Sequence, residues 1–310
     1  MKDYSGVVLT TPISLGYARQ SPHGAAWFVG SVLREMISTA GLTKKDIDGF
    51  SVSSFSLGVD SAVALTQHFG LCVRWLEQAN VGGVSGILAL RRAARAVQCG
   101  EAEIVACIGG DGAAHRSFET TAAHFSNWST DAAFPYGAAG PNGPFSLITA
   151  HYMERYQAQR EDFARICLDQ RYNANHFSGA LLGHKKLSLS DYLNARPIAG
   201  PLHLFDCVMP CAGGEGFLVM SEDRANQLNL PAVRILAADE CHNAHADDPI
   251  QDRGGWTEYI QDLYNRAATG PQDVDFLQTY DDYPVISMLQ MEDLGFCSKG
   301  NAPAFVGQTD

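Results

Sequence analysis

Between residues 25 and 40, Trp27, Val29, Val32, Leu33, Met36 and Ile37 recur at helical spacing and form one broad apolar face, which Gly41 closes. The short apolar run Val7-Val8-Leu9 precedes it and predicts a first strand. Asp46-Ile47-Asp48-Gly49 leads into a second strand ending at Ser53, and residues 62–69 predict a helix stopped by Gly70. Residues 85–98 carry the strongest helical pattern, with Ile87, Leu88, Leu90, Ala94 and Val97 inward and Arg91, Arg92 and Arg95 outward. Ile104-Val105-Ala106-Cys107-Ile108 is a continuous apolar run and predicts a strand covered on both faces.

From residue 113 to 144 the periodicity disappears into Gly, Ala, Ser, Thr and aromatic residues. Long ordered loops of this kind carry function. Its His115, His124, Trp128 and Tyr136, between glycine hinges, make it the candidate cover for a substrate. Helices are predicted over 145–157 and 161–174, and strands over 204–209, 216–220 and from 231 to 237.

An internal repeat organises the rest. The first copy runs helix, Asp46-Ile47-Asp48, strand, helix, Phe69-Gly70-Leu71. The second runs helix (259–268), Asp273-Val274-Asp275, strand (276–280), helix, Leu294-Gly295-Phe296. Order and spacing match, which predicts two similar α/β halves.

Composition narrows the partners. Of 310 residues, 46% are hydrophobic and 18% charged, enough for a large core and against disorder. The formal net charge is −12 and no basic cluster stands out beyond Lys185-Lys186 and Arg91-Arg92, which argues against nucleic acid as a partner. No apolar run reaches the length of a membrane span, and residues 1–9 lack a signal-peptide core. The eight cysteines are scattered without a CxxC pair and read mostly as buried free thiols, so a reduced, cytoplasmic protein is expected.

Several segments together resemble the thiolase superfamily, in particular the branch related to sterol carrier protein thiolases. They are Gly82-Gly83-Val84-Ser85-Gly86-Ile87-Leu88-Ala89-Leu90, Gly109-Gly110-Asp111, Tyr136-Gly137, and Gly140-Pro141-Asn142-Gly143-Pro144-Phe145. Further on come Arg196-Pro197-Ile198-Ala199-Gly200-Pro201-Leu202, Cys211-Ala212-Gly213-Gly214-Glu215-Gly216, Tyr280-Asp281-Asp282-Tyr283 and Leu294-Gly295-Phe296-Cys297-Ser298-Lys299-Gly300. The resemblance implies a duplicated α/β thiolase-like fold in five layers, α-β-α-β-α. It places an N-terminal half with its loop insertion (about 113–200) over 1–230 and the start of a second half over 231–310. It also implies a segment beyond Asp310, carrying a catalytic His and a second Cys, so the C-terminal half is expected to be incomplete here.

The departures from the family are the informative part. In thiolases the nucleophilic cysteine stands at the tip of the buried helix, three residues before a glycine; here that position is Gly83. A thiolate there would be favoured by the helix dipole, and glycine offers nothing to acylate. Ser85 is near, but an alcohol needs an adjacent base that the sequence does not show, and a capping or packing role is the alternative. The family's HDCF or NEAF motif reads Tyr280-Asp281-Asp282-Tyr283, where a phenol can donate to an oxyanion or exchange a proton with a hydroxyl. Thiolase-like retro-aldolases of steroid side-chain degradation share both departures. The bland reading, that Tyr280 ends a strand where aromatics are common, stays open.

The resemblance therefore implies an acyl-CoA-acting protein without the nucleophile, a retro-aldol lyase of β-hydroxyacyl-CoA. Tyr280, Tyr283 and Asp281 are the candidate catalytic residues, and the backbone at Gly82, Gly83 and Ser85 the candidate anion pocket. The alternatives are a non-catalytic scaffold or assembly subunit, and an acyltransferase whose nucleophile comes from a partner subunit. No cofactor is expected beyond the coenzyme A thioester as substrate; a homodimer and an OB-fold zinc-ribbon partner protein are implied. His242 and His245, with Cys241, Asp239, Glu240, Asp247 and Asp248, read as an exposed polar loop rather than a metal site. Cys207 and Cys211 flank Pro210 and read as buried thiols. Gly109-Gly110-Asp111-Gly112 lacks the GxGxxG spacing and reads as close backbone packing.

Overall fold

The computed structural model describes residues 3–112, 129–138 and 140–307. The chain forms two compact units, Met1–Ala114 with Cys211–Glu240, and His115–Pro210 with Cys241–Asp310. His115, His124 and Trp128 lie outside the described residues.

The first unit is built on a six-stranded sheet. Its strands are β1 (Val7–Ser14), β2 (Gly49–Ser53), β3 (Trp75–Gln78), β4 (Ile104–Asp111), β7 (Gly213–Ser221) and β8 (Ala232–Arg234), in the order β3-β2-β4-β7-β1-β8. β2 runs parallel to β3 and β4, and the remaining pairs are antiparallel. The apolar run in β4 is covered on both faces, because successive side chains of a strand point oppositely. Ile104, Ala106 and Ile108 pack with Val29, Val32 and Met36 of α1 (Ala25–Thr39). Val105 and Cys107 pack with Ala89, Ala93 and Ala94 of α3 (Ser85–Gln98). The unit is thus an α-β-α sandwich, in which α2 (Ser61–Phe69) joins α1 on the first face. Phe50 is fully buried there, and truncating such a ring costs about 3–5 kcal/mol. Helix α7 (Glu222–Gln227) follows β7.

Close backbone packing explains the glycines after β4. A Cβ on Gly110 would stand 3.0 Å from Val29 Cγ2, and one on Gly112 2.8 Å from the carbonyl oxygen of His23. Two expectations fail in this unit. Strand β3, Trp-Leu-Glu-Gln, is too short and polar to announce itself, and Ile87 is exposed on α3 rather than buried.

The second unit is mainly helical. It contains α4 (Asn142–Tyr156), α5 (Arg160–Asn175), α6 (Leu189–Leu193), α8 (Trp256–Ala267), α9 (Pro284–Asp293) and α10 (Ala302–Val306). A two-stranded ribbon of β5 (Pro197–Ala199) and β6 (Leu202–His203) completes it. Tyr152, Phe163, Ile166, Tyr192, Tyr283 and Met288 centre its core. Residues 204–209 are not a strand: Leu204–Asp206 is a 3-10 turn. The Asp206 carboxylate accepts from the His203 amide at 2.7 Å and from the Tyr192 phenol, and that pull curls the chain.

The internal repeat holds at the level of local hydrogen bonding. Asp46 accepts from the Thr43 amide at 2.7 Å, and Asp273 accepts from the Gly270 amide at 2.7 Å, each closing a 3-10 turn. Gly70 and Gly295 both take a left-handed φ (+69° and +84°) after their helices. The next amide then reaches back in both copies, Leu71 to Thr66 at 2.9 Å and Phe296 to Met291 at 3.0 Å. The copies part in the middle. The first contributes β2 to the sheet, while residues 276–280 of the second form no strand. Among the described residues, the sheet of the second unit is the β5–β6 ribbon, which they do not join, and Phe276 stays 79% exposed.

Candidate functional site

Two groups of residues singled out by the sequence take shape, one in each unit. In the first, the turn Gly82–Val84 leads directly into α3. Gly82 adopts φ +73°, a conformation that favours glycine, whereas Gly83 does not have a positive φ and lies exposed. The Ser85 hydroxyl accepts from the Val81 amide at 3.1 Å and donates to the Gly82 carbonyl at 2.6 Å. The side chain is buried and committed to the turn, so it holds the helix tip in shape and presents no free alcohol.

None of the first unit's four cysteines belongs to this tip. Cys72 follows α2, Cys99 caps the far end of α3, Cys107 is buried within β4, and Cys211 precedes β7. Burial pushes the Cys107 and Cys211 thiols up. The cysteines are less buried than expected: Cys72, Cys99 and Cys241 are exposed, and only Cys107 and Cys167 are buried. Cys207 and Cys211 are half-buried, Cys207 being pushed up to about 11, chiefly by desolvation.

In the second unit, Tyr280-Asp281-Asp282-Tyr283 forms the approach to α9, with Tyr283 as its N-cap and Pro284 as its first residue. The buried Gln290 side chain takes the place of a neighbouring strand. Its Oε1 accepts from the Tyr280 amide at 3.0 Å and its Nε2 donates to the Tyr280 carbonyl at 2.7 Å. The Tyr280 phenol donates to Asp282 Oδ2. Burial raises the Asp282 carboxyl, opposed by the hydrogen bond from Tyr280 and reinforced by Asp281. Asp281 turns the other way and accepts from Gln170 Nε2 on α5 at 2.9 Å.

Tyr283 has no exposed surface. Its ring stacks on Phe145 (centroids 4.3 Å apart) and its phenol donates to Asn142 Oδ1 at 2.6 Å. Burial raises this phenol, with smaller contributions from Cys207, Asp282 and Tyr280.

Tyr280, Asp281 and Tyr283 are thus gathered in one cluster of the second unit, while Gly82, Gly83 and Ser85 are gathered in the first. Asp282, Asn142 and Gln290 had no assigned role in the sequence. The one signal for Asn142 is the glycine- and proline-rich stretch Gly140-Pro141-Asn142-Gly143-Pro144, which starts α4 three residues earlier than periodicity predicts.

Tyr136 is 88% exposed. His245, read from sequence as part of an exposed loop, has a side chain only 7% exposed and bonds Thr257 Oγ1 at 2.9 Å. Among the described residues, no group of three or more His, Cys, Asp or Glu is arranged to hold a metal ion.

Residues 240–310 match the family described as thiolase C-terminal domain-like. The chain is 28% identical over 299 residues to a steroid side-chain-cleaving aldolase of Thermomonospora curvata, covering 87% of this chain and 72% of that protein. It is 25% identical to the 17-hydroxy-3-oxo-4-pregnene-20-carboxyl-CoA lyase of Mycobacterium tuberculosis, over 94% of this chain and 78% of the lyase. Among solved structures, the Ltp2-ChsH2(DUF35) aldolase superposes with a TM-score of 0.85 at 24% identity, covering 99% of this chain and 81% of that one. Human mitochondrial 3-ketoacyl-CoA thiolase in complex with CoA gives 0.71 at 12% identity, over 95% and 84%.

The fold is thiolase-like. In sequence, the chain resembles the sterol carrier protein thiolase-like branch and its thiolase-like aldolases.

Proposed function

We propose that this protein is a carbon–carbon lyase that cleaves a β-hydroxyacyl-CoA by retro-aldol chemistry. The observation that carries the reading is Gly83: the helix tip bears no nucleophile, and the neighbouring Ser85 hydroxyl is spent on the turn. Chemistry that needs no acyl-enzyme suits such a tip. The two relatives named above as aldolase and CoA lyase support the same reading, and their names point to a steroid-like acyl chain.

In the reaction a base removes the β-hydroxyl proton and the C–O bond becomes a carbonyl. The Cα–Cβ bond breaks, and its electron pair passes into the thioester enolate. A proton returned to Cα releases the shorter acyl-CoA. Tyr280 is the proposed acid/base: it takes the substrate hydroxyl proton as its own phenolic proton passes to the Asp282 carboxylate, from which a proton can later return. Asp281 and Tyr283 shape the same cluster, and the amides of the Gly82–Ser85 turn serve as an anion or oxyanion pocket.

For partners, we propose acyl-CoA, a second copy of the chain, and an OB-fold zinc-ribbon protein. The dimer is favoured by strand β3, which lies at a sheet edge with Leu76 exposed, and by exposed Val81, Val84 and Ile87 on and around the α3 tip. The third partner is suggested by the structural relative whose name includes ChsH2(DUF35). A cytoplasmic location accords with the absence, among the described residues, of a helix long and apolar enough to cross a membrane. We also propose that 1–230 and 231–310 correspond to an N-terminal and a C-terminal thiolase-like part, the second in line with the match over 240–310.

The test is release of acetyl-CoA or propionyl-CoA from a β-hydroxyacyl-CoA, with and without Tyr280→Phe. Release by the wild type that disappears in the variant supports the reading, and unchanged release removes Tyr280 from it. A covalent acyl adduct seen by mass spectrometry would instead favour an acyltransferase. Neither release nor adduct would leave the scaffold reading.

A further inference from the structure

We infer that Asn142 is a substrate-facing hydrogen-bond donor to the thioester carbonyl, and that Tyr283 is the positioning residue that holds it. This rests on the preceding reading only in placing the thioester beside Tyr280. Tyr283 cannot itself meet a substrate, because it has no exposed surface and is stacked on Phe145. Its phenol stays protonated at any ordinary pH because burial disfavours the phenolate. A protonated phenol inside a wall acts by donating, and Tyr283 donates to Asn142 Oδ1 at 2.6 Å.

That bond occupies the carbonyl end of the Asn142 amide and fixes which way the group faces. The nitrogen end, with two N–H donors, is left over. Asn142 is half-buried, and its Nδ2 has no partner among the described residues. The backbone around it is set by close contact. A Cβ on Gly143 would stand 2.7 Å from Ala138 Cβ, and Gly140 holds φ +62°, so the residue is presented from a turn with little freedom. Tyr283 directly follows Asp282, the partner of the Tyr280 phenol, so its bond to Asn142 ties the spare donor to the segment that carries the proposed acid/base pair. An amide N–H₂ held in place before substrate arrives is the kind of group that stabilises an enolate oxygen without reorganisation.

The experiment uses propionyl-CoA labelled with ¹³C at the thioester carbonyl, read by infrared difference spectroscopy on the bound complex. The wild type is expected to shift the carbonyl stretch to lower frequency than in solution. Asn142→Ala, and Asn142→Asp, which keeps size and the acceptor for Tyr283, should both lose the shift. Tyr283→Phe should weaken it, and Asn142→Ala/Tyr283→Phe should match Asn142→Ala alone, since Tyr283 acts through Asn142. In cleavage, kcat of Asn142→Ala should fall about 100-fold with little change in KM, the scale of losing one oxyanion donor. A wild-type carbonyl without a shift, or a shift that survives Asn142→Ala, overturns the inference. A shift that depends on Asn142 in a protein that does not cleave supports the donor and defeats only the lyase reading.

Discussion

Gln290 pairs with Tyr280 as a neighbouring strand would, through two hydrogen bonds of 3.0 and 2.7 Å between one side-chain amide and both backbone groups of the tyrosine. This clamp fixes the backbone of the proposed acid/base although no sheet is present there. Gln290→Leu removes both bonds and leaves the Tyr280 backbone groups without those partners. A loss of about 1–3 kcal/mol in unfolding free energy is expected, measured by urea denaturation. Cleavage should fall more than stability does, because the phenol is no longer aimed. Unchanged kcat in the variant would remove the clamp from the mechanism.

The pair formed by Tyr280 and Asp282 gives a pH dependence. Protonating Asp282 removes its capacity to take the phenolic proton, so kcat falls on the acid side. Burial raises Asp282, so this limb should lie above the ordinary carboxylate value of 3.8. The sign for stability is opposite to that of a salt-bridged carboxylate. The fold holds this proton more tightly than the unfolded chain, so the contribution of Asp282 is full at low pH and is lost as pH rises through its folded pKa. A pH–rate profile of wild type beside Asp282→Asn checks the limb, and urea denaturation of both across the same pH range checks the stability sign; an acid limb that persists unchanged in the variant would assign it to another group.

At the helix tip, Ser85→Ala should cost about 1 kcal/mol by freeing the Val81 amide and Gly82 carbonyl, without creating or abolishing an acyl adduct. Gly83→Cys is the complementary change. Position 83 has no positive φ, so a side chain there meets no left-handed strain. A thiol at the head of α3 should then take an acyl group from acyl-CoA, detected by intact mass. No adduct on the cysteine variant would mean that the tip does not face the thioester.

Thiol labelling should follow exposure and burial. Cys72, Cys99 and Cys241 should react first with iodoacetamide at neutral pH. Cys207 and Cys297, both pushed to about 11 by desolvation, should lag. Cys107 and Cys167 should react only on unfolding. Peptide mapping over time gives the order, and early labelling of Cys107 would contradict the buried β4.

The elements most legible in the sequence are those whose stability is local. Helix α3 begins and ends at the residues that periodicity gives, and the paired Asp46 and Asp273 turns follow from a carboxylate three residues after the amide it caps. Strand β3 leaves no mark in the sequence, because its four residues, Trp-Leu-Glu-Gln, pair with β2 and carry no pattern of their own. The pattern of residues 276–280 copies β2 and predicts a strand, yet a strand needs an edge to join. The position of Ile87 predicts burial, but a helical pattern gives a face and not what covers it.

By itself, the sequence determined the α/β class, the repeat, the absent cysteine at Gly83 and the tyrosines that replace the family motif. Periodicity, caps and residue identity act over a few positions and can be read along the chain. Only the tertiary structure decided that Asp282 rather than Asp281 bonds Tyr280, and that Tyr283 acts on Asn142, 141 residues away. Side chains so distant along the chain meet only after the core has chosen their directions, and no local pattern encodes that choice.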